Sequence, residues 1–354
     1  MLKNWWPYAI VAIILVAILI AKFVFWPLLF LAAILAILLC FLFFEKALML
    51  FAFTLPLEKT LSIDIGGFTF RFSHFLIGAL AVAWLVKSLL NKKLKIFWNQ
   101  SLVFLILYLV VAAISLRDVV NLNRGWEVFI FTTFAIFSFW FLFQLFREQP
   151  KRIIFFLKTL FISAIAVGIF GLLQISGDLL NLPIWLTGIG EGYTKGVLGF
   201  PRVRASFFEP LYFGSFIILI LPLVYMQINS VKKLISQKWL KILLLLLLIN
   251  LILTFARSAY LAFAVEVLIV AIFSIKFIFQ KKALRFLSAF TLIFVLFLFV
   301  FLNFPKIFPH KVQAALKHTV ETTDWSSFER LNSGGLALDL FRENPIKGIG
   351  LGQF

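Results

Sequence analysis

Long apolar runs recur along almost the whole chain, and this repetition limits the possible folds more than any other feature. Each run approaches the roughly 20 residues that a helix needs to cross a bilayer. The chain is 63% hydrophobic and 14% charged, whereas a soluble domain is about half apolar and about a quarter charged. One soluble core cannot hide that excess. The runs lack the alternation of transmembrane barrels, so the sequence predicts an all-α bundle of spanning helices.

The positions of the runs predict about 10–11 spans. Runs near spanning length are Trp5–Ala21, Phe23–Phe44, Phe75–Leu90, Leu102–Leu116, Trp126–Phe146, Ile153–Ile175, Phe207–Ile228, Leu240–Phe255, Ala259–Ile275 and Phe286–Phe304. A shorter run, Ala47–Leu57, is either a further short span or a re-entrant piece. The predicted fold is therefore a polytopic transmembrane helix bundle over residues 1–304. Residues 305–354 are predicted to form a large extracytoplasmic loop near the C-terminus.

Basic residues mark one side of this predicted bundle. They gather in four connections, at Lys87–Lys95, Arg147–Arg152, Lys232–Lys241 and Lys276–Arg285. Strict alternation of spans puts all four on one side, which the positive-inside rule makes cytoplasmic. With Ala47–Leu57 counted as a span, the N-terminus is cytoplasmic as well. The outer side then receives the long loop 176–206, the turn around Arg257 and the C-terminal loop. The net charge of +18 fits contact with anionic membrane lipids, and we predict no nucleic-acid binding.

Metal and nucleotide sites have no support in the sequence. The single cysteine, Cys40, lies inside an apolar run, and His310 and His318 have no metal-ligand spacing. A Gly-x-Gly-x-Gly stretch closes the chain but lacks the spacing and the strand–helix context of a dinucleotide fingerprint. We therefore predict no metal and no cofactor.

Arginines on the predicted outer side are the strongest candidates for a functional site. Arg202 and Arg204 precede a span, Arg257 lies at the tip of a helical hairpin, and Arg330 lies in the C-terminal loop. Singly, such residues reach lipid headgroups or pair with local acids. Together they favour an anionic substrate, because the planar guanidinium matches a phosphate or diphosphate.

Two acids lie near these arginines in the sequence. Glu191 and Glu209 could each orient an arginine or act as a base, and the structural alternative for each is a local ion pair.

Four stretches that include these arginines form an ordered set of motifs. They are Leu55–Glu58 with Ser62–Asp64, Pro201–Pro210 running into Leu221-Pro222-Leu223, Leu253–Leu261, and Glu329-Arg330 followed by Asn344–Phe354. In this order and spacing they resemble the O-antigen ligase and O-antigen polymerase family of bacterial envelope enzymes. Ala256 stands where that family usually has serine.

The resemblance implies a metal-independent glycosyltransferase of lipopolysaccharide or other cell-envelope polysaccharide biosynthesis. It would lie in the bacterial cytoplasmic (inner) membrane and act on its outer face. The implied donor is a glycan on undecaprenyl diphosphate, and the acceptor is lipid A–core, a growing glycan or another envelope acceptor. We expect Arg204, Arg257 and Arg330 to bind the diphosphate, with Arg202 as a lesser candidate. Arg257, Arg330 and Glu209 are the expected catalytic residues.

One part of the family pattern lies beyond the end of this sequence. The family's histidine-bearing motif normally follows the Gly-rich stretch, and His310 and His318 precede Arg330 instead. We therefore expect the chain to be a fragment that lacks the catalytic histidine and the last spans.

Two other classes of protein are compatible with an apolar bundle. A secondary transporter or lipid-linked glycan flippase usually shows internal repeats and midplane charges, and neither is evident. A structural membrane scaffold would not need clustered outer-face arginines. The sequence separates neither ligase from polymerase nor one sugar from another.

Overall fold

The computed structural model describes residues 33–59, 61–65, 68–92, 94–180, 182–188, 202–275, 325–345 and 348–353. Its regular structure there is almost entirely α-helical, which confirms the predicted all-α class. In chain order the helices are α1 Ala33–Leu42, α2 Phe44–Thr54, α3 Phe72–Leu90, α4 Gln100–Ser115, α5 Leu122–Glu148, α6 Lys151–Leu179, α7 Ile184–Thr187, α8 Pro210–Asn229, α9 Gln237–Leu253, α10 Arg257–Ile275 and α11 Trp325–Glu343.

Several of these helices have the length and composition of membrane spans. Within the described ranges, five qualify, namely α3, α4 with the short turn after it, α5, α6 and α8. Six qualify if the bent pair α1–α2 counts as one span. The helices α9 and α10 coincide with two further predicted runs. The predicted runs 5–21 and 286–304 lie outside the described residues, so the total of about ten or eleven spans stays a prediction.

Helix α4 shows which solvent surrounds the bundle. It buries Leu102 and Ala112, while the side chains of Phe104 and Val111 are 70% and 64% exposed. A helix that presents large apolar side chains on most of its circumference is stable in lipid and not in water. The exposed faces therefore agree with the predicted membrane bundle.

The first described part of the chain is broken, whereas the sequence predicted a span that continues to Phe44. Helices α1 and α2 meet at Phe43 with a bend of 117°. Helix α2 packs against α3 and α6 and buries Leu48 and Phe51. This geometry is that of a broken span or a re-entrant segment, so it agrees with either interpretation of the short run 47–57.

A β-hairpin joins α2 to α3. Its strands are β1 Ser62–Ile65 and β2 Phe68–Arg71, and Ser62 pairs with Arg71. The sequence has Gly66-Gly67 between the strands, a pair typical of a two-residue hairpin loop. The hairpin places Arg71 directly before α3.

Charged residues meet at one end of the bundle. Arg152 forms ion pairs of 2.9 Å with Glu45 and 3.2 Å with Glu148. Together with Lys87, these three residues line a cavity of about 280 Å³. Because Lys87 and Arg152 belong to two of the predicted cytoplasmic connections, the structure agrees with their placement on one side. The orientation of that side in the membrane stays a prediction.

Helices α6 and α9 approach closely where glycines of α6 face Asn250. The buried Asn250 Nδ2 donates hydrogen bonds of 3.0 Å to the Gly168 carbonyl and 2.8 Å to the Leu246 carbonyl. A Cβ atom added at Gly171 would lie 2.1 Å from Asn250 Oδ1. The glycine is therefore required for the packing of these two helices.

We expect Gly171→Ala to lower the free energy of unfolding by about 1–3 kcal/mol, the usual effect of overpacking a close contact. The measurement is the thermal unfolding of detergent-solubilised protein, followed by tryptophan fluorescence. Gly78→Ala on α3 is the matched control, because an added Cβ there meets nothing within 4 Å. Alanine also has a higher helix propensity than glycine, so the control variant should not lose stability. Equal stability of Gly171→Ala and the control would contradict the close packing.

Candidate functional site

The turn between α9 and α10 fixes the position of Arg257, which is the first residue of α10. Phe255 in this turn has a φ of +49°, a strained conformation for a bulky residue. The Thr254 hydroxyl donates to the Leu251 carbonyl at 2.7 Å and accepts from the Ala256 N–H at 3.3 Å. On the neighbouring α8, a Cβ at Gly214 would lie 2.8 Å from Ala259 Cβ. Tight packing and a hydrogen-bonded turn therefore hold the start of α10 in place.

Arg202 binds the carbonyl end of α9. Its Nε donates to the Thr254 carbonyl at 3.0 Å, and its Nη2 donates to the Phe255 carbonyl at 3.1 Å. The Val203 N–H extends this contact to the Leu253 carbonyl at 3.0 Å. A cation at the C-terminus of a helix is also favoured by the helix dipole. Arg202 thus ties its own segment to the turn that carries Arg257.

Arg204 lies in a segment that a buried glutamine holds. Its Nη1 donates to the Phe208 carbonyl at 3.3 Å, and its Nη2 donates to the Gly188 carbonyl. The next residue, Ala205, has a φ of +49°. The side chain of Gln174 on α6 accepts from the Ala205 N–H at 2.8 Å and donates to the Ala205 carbonyl at 3.0 Å. Gln174 therefore fixes the backbone conformation beside Arg204.

Three other predicted site residues, Arg257, Arg330 and Glu209, act electrostatically on Arg202. Burial lowers the pKa of Arg202, and the nearby Tyr260 opposes this shift. The charges of Arg257 and Arg330 lower the pKa of Arg202 further, whereas Glu209 raises it. Such effects weaken steeply with distance. The structure therefore places residues from three separate predicted segments within range of a charge interaction with Arg202.

Arg204 lies on the side of this group that faces the loop after α2. Burial lowers the pKa of Arg204. Burial lowers the pKa of Lys59 as well, and the charge of Arg204 adds to that shift. We name Arg202, Arg204, Arg257 and Arg330 the arginine cluster. The cluster has four guanidinium groups, whereas Glu209 is the one acid whose charge raises the pKa of Arg202.

Glu209 and the start of α8 differ slightly from the prediction. The predicted span begins at Phe207, but the helix begins at Pro210, and Glu209 is its N-cap residue. Proline is favoured in the first turn of a helix because its missing N–H is not needed there.

Glu191, His310 and His318 lie outside the described residues. In the described ranges, no group of three His, Cys, Asp or Glu side chains could hold a metal ion.

An ion pair that the sequence analysis missed lies beside the arginine cluster. Arg71 Nη1 donates to Glu58 Oε1 at 2.9 Å, and its guanidinium lies 5.8 Å from the centre of the Phe208 ring. The Lys59 N–H donates to the Ser206 carbonyl at 2.8 Å, and the Ser206 hydroxyl donates to the Pro56 carbonyl. Arg71 could have been found, since it lies at the end of the predicted span Phe75–Leu90 opposite the basic connection Lys87–Lys95.

Two cavities meet at the Glu58–Arg71 pair. One, of about 600 Å³, lies among α2, α3 and α5, and the other, of about 550 Å³, lies among α2, α6 and α8. Both are lined by Leu55, Glu58 and Arg71. Their volumes are those of small-molecule sites. Space for a ligand therefore lies next to the arginine cluster, at the early motif Leu55–Glu58, in which no site residue was predicted.

The closing Gly-rich segment docks onto the start of α5. Gln353 Oε1 accepts from the Asn121 N–H at 2.7 Å, and Gln353 Nε2 donates to the Asn121 carbonyl at 3.2 Å. The φ of Gly350 is +99°, and a Cβ there would lie 2.8 Å from the Asp118 carbonyl oxygen. The glycines thus serve a close backbone approach, which agrees with the rejection of a dinucleotide motif.

We expect Gly350→Ala to release this segment, because the added Cβ collides with backbone and L residues rarely adopt this φ. Hydrogen–deuterium exchange of the segment and of the first turn of α5 should rise by about tenfold, a loss of about 1.4 kcal/mol. Gly335→Ala on α11 is the control, since an added Cβ there meets nothing within 4 Å. Unchanged exchange in Gly350→Ala would contradict the docking.

Helix α11 begins at Trp325, within the segment predicted as the C-terminal loop. It carries Arg330 together with exposed apolar side chains, including Leu331 and Phe341. Arg330 therefore lies on a regular helix, from which its charge acts on Arg202.

Taken together, the fold and the site define a polytopic membrane protein with a convergent cationic site at one end of its helix bundle. Comparison with known families gives one match: the family model for O-antigen ligase matches residues 242–354. No curated protein and no solved structure matches the chain. The family match confirms the predicted resemblance over residues 242–354. It includes Arg257, Arg330 and the Gly-rich segment, and it supports a membrane glycan-processing function of ligase or polymerase type.

Proposed function

We propose that this protein transfers a glycan from undecaprenyl diphosphate to a hydroxyl group of a lipid or glycan acceptor. The reaction would occur on the outer face of the bacterial inner membrane. The observation that carries the proposal is the convergence of Arg202, Arg257 and Arg330 with Glu209 in a chain whose family match covers two of these arginines.

The proposed reaction places negative charge on the leaving group. The acceptor oxygen attacks the anomeric carbon, and the bond from that carbon to the diphosphate oxygen breaks. The electron pair of that bond stays on the diphosphate, and the hydroxyl proton passes to a base. Preorganised cations stabilise such a leaving group without reorganising during the reaction.

The surroundings of the arginines suit this role. Arg202 is held by two backbone carbonyls of the α9–α10 turn, so its segment and Arg257 keep a fixed relation. Arg257 is also the first residue of α10, and the N-terminus of a helix attracts phosphate groups. A diphosphate beside Arg257 would therefore meet a guanidinium and a favourable helix dipole together.

The experiment that tests the proposal uses the full-length natural protein in lipid nanodiscs, with a synthetic undecaprenyl-diphosphate oligosaccharide and an acceptor glycan. We expect undecaprenyl diphosphate and the extended acceptor to appear in equal amounts. Chelation of divalent cations should leave the rate unchanged under the proposed metal-independent mechanism. A transporter or flippase would leave the donor linkage intact, and persistence of intact donor under these conditions would contradict the proposal.

A further inference from the structure

The cavity among α2, α3 and α5, which we name the Glu58 cavity, has a chemistry unlike that of the arginine cluster. Its polar lining consists of Glu58, Thr69, Arg71, Ser73, His74, Glu127 and Ser138. Aromatic side chains line it as well, Phe51, Phe131 and Phe134. Carboxylates and hydroxyls accept and donate hydrogen bonds, and aromatic faces pack against the C–H groups of a ring. This combination fits a polyhydroxylated ligand.

The charge balance of the lining argues against an anionic ligand. Two carboxylates, Glu58 and Glu127, face the cavity with one guanidinium, Arg71. Arg71 already pairs with Glu58 at 2.9 Å. Glu127 pairs with Arg124 at 3.0 Å, so the lining offers a phosphate no excess of cations, whereas the arginine cluster does. A neutral, hydroxyl-rich group needs no such excess.

One carboxylate oxygen of Glu58 indicates where a hydroxyl would bind. Glu58 Oε1 accepts from Arg71, but Oε2 is buried and accepts no hydrogen bond within the described part of the chain. A buried acceptor without a donor is costly, and a ligand hydroxyl would supply the donor. Burial raises the pKa of Glu58, while the charge of Arg71 opposes the shift, so the environment already disfavours an uncompensated charge on this carboxylate.

The Glu58 cavity and the arginine cluster are joined by backbone contacts. The Lys59 N–H bonds the Ser206 carbonyl at 2.8 Å, and the Ser206 hydroxyl bonds the Pro56 carbonyl. Arg71 lies over the ring of Phe208. A group bound in the cavity would therefore lie beside the segment that carries Arg202 and Arg204.

From these observations we infer that the Glu58 cavity binds neutral saccharide units of the acceptor, with Glu58 as a positioning residue that accepts a hydrogen bond from a sugar hydroxyl. The assignment of this saccharide to the acceptor rests on the proposed function, whereas the binding of a neutral saccharide does not. The arginine cluster then binds the anionic donor, and the cavity binds the neutral acceptor.

Saturation-transfer NMR on the full chain in nanodiscs tests this inference, with maltotriose and N,N′,N″-triacetylchitotriose as neutral probes. Ala135 lines the cavity, so Ala135→Phe should fill it and weaken binding of a trisaccharide at least about tenfold. Glu58→Gln should weaken binding by a similar factor, because one acceptor oxygen becomes a donor. Ile130→Phe is the matched control, since Ile130 is on the same helix, exposed, and not part of the lining.

Inorganic pyrophosphate, followed by phosphorus NMR, distinguishes the cavity from the arginine cluster. Its binding should fall in Arg257→Ala and stay unchanged in Ala135→Phe and Glu58→Gln. Loss of pyrophosphate binding in the cavity variants, with saccharide binding retained, would identify an anion site and overturn the inference. Failure of the unaltered protein to bind either trisaccharide would overturn it too.

Transfer assays separate this inference from the proposed function. If both hold, Ala135→Phe raises the acceptor KM and leaves the donor KM unchanged. Normal transfer and normal saccharide binding in Ala135→Phe would end the inference and leave the proposed function standing. Absent transfer in the unaltered protein, with saccharide binding that Ala135→Phe removes, would end the proposed function and leave the saccharide site.

Discussion

Replacement of Arg257 with alanine should lower the rate of glycan transfer by about 100-fold or more, while the protein still inserts into the membrane. The loss of one preorganised group that stabilises developing charge usually costs a factor of this size. Arg257 combines a charge within the arginine cluster with a position at the start of α10. The measurement is the initial rate of undecaprenyl diphosphate release from nanodisc-embedded protein at saturating donor.

Two further variants make this prediction specific. Arg257→Lys should recover only part of the rate, because an ammonium cannot form the two parallel hydrogen bonds of a guanidinium. Arg342→Ala is the control, since Arg342 is 76% exposed and pairs with Asp339 on α11. A normal rate in Arg257→Ala at normal expression, or an equal loss in Arg342→Ala, would contradict the assigned role.

Gln174→Leu should be strongly destabilising and should also reduce donor binding. It removes both hydrogen bonds that the buried side chain makes with Ala205. Each orphaned backbone group costs about 1–3 kcal/mol. Because Ala205 is held in a strained conformation beside Arg204, we expect its segment to relax and Arg204 to move. Thermal unfolding and the donor KM measure the two effects.

The chain contains a matched control for this substitution at the opposite end of the bundle. Gln144 on α5 is fully buried, accepts from the Phe97 N–H at 2.7 Å, and donates to the Phe97 carbonyl at 2.8 Å. Gln144→Leu should lower the unfolding temperature but leave the donor KM unchanged in the folded fraction. Equal effects of both variants on the donor KM would contradict a specific role for Gln174 at the site.

The helices were predictable because the apolar runs are long and the connections are polar. Lipid-exposed segments such as α4 show this signal directly, since most of the helix surface is apolar. The predicted helix boundaries were wrong where a few residues decide them. Phe207 belongs to the apolar run, but the helix begins at Pro210. The bend at Phe43 could not be predicted from the composition of the run. It accompanies the packing of α2 against α3 and α6, which are distant in sequence.

The arginines of the site were predictable for a different reason. A cation on the outer side opposes the charge bias of membrane proteins, so Arg202, Arg204, Arg257 and Arg330 stood out one by one. The function of each hydrogen bond did not follow from that rule. Arg202 proves to bind the carbonyls of the α9–α10 turn, which is a positioning contact that the sequence could not show.

Gln174 and Glu58 were missed because their importance depends on distant partners. Gln174 lies in an apolar helix and bonds a backbone 31 residues away. Glu58 belongs to an early motif but was not predicted as a site residue. Its partner Arg71, 13 residues later, was not predicted as one either. A sequence pattern gives no sign of such contacts unless the β-hairpin and the packing of α2 on α6 are already known.

The central claim is that the arginine cluster binds the diphosphate of a lipid-linked glycan. The most direct measurement is an electron cryomicroscopy structure of the full chain in nanodiscs with an undecaprenyl-diphosphate oligosaccharide bound. The account predicts diphosphate density in contact with Arg257 and at least one of Arg204 and Arg330. Diphosphate density at the opposite end of the bundle, near Arg152, or a glycan bound with its diphosphate away from all four arginines, would contradict it.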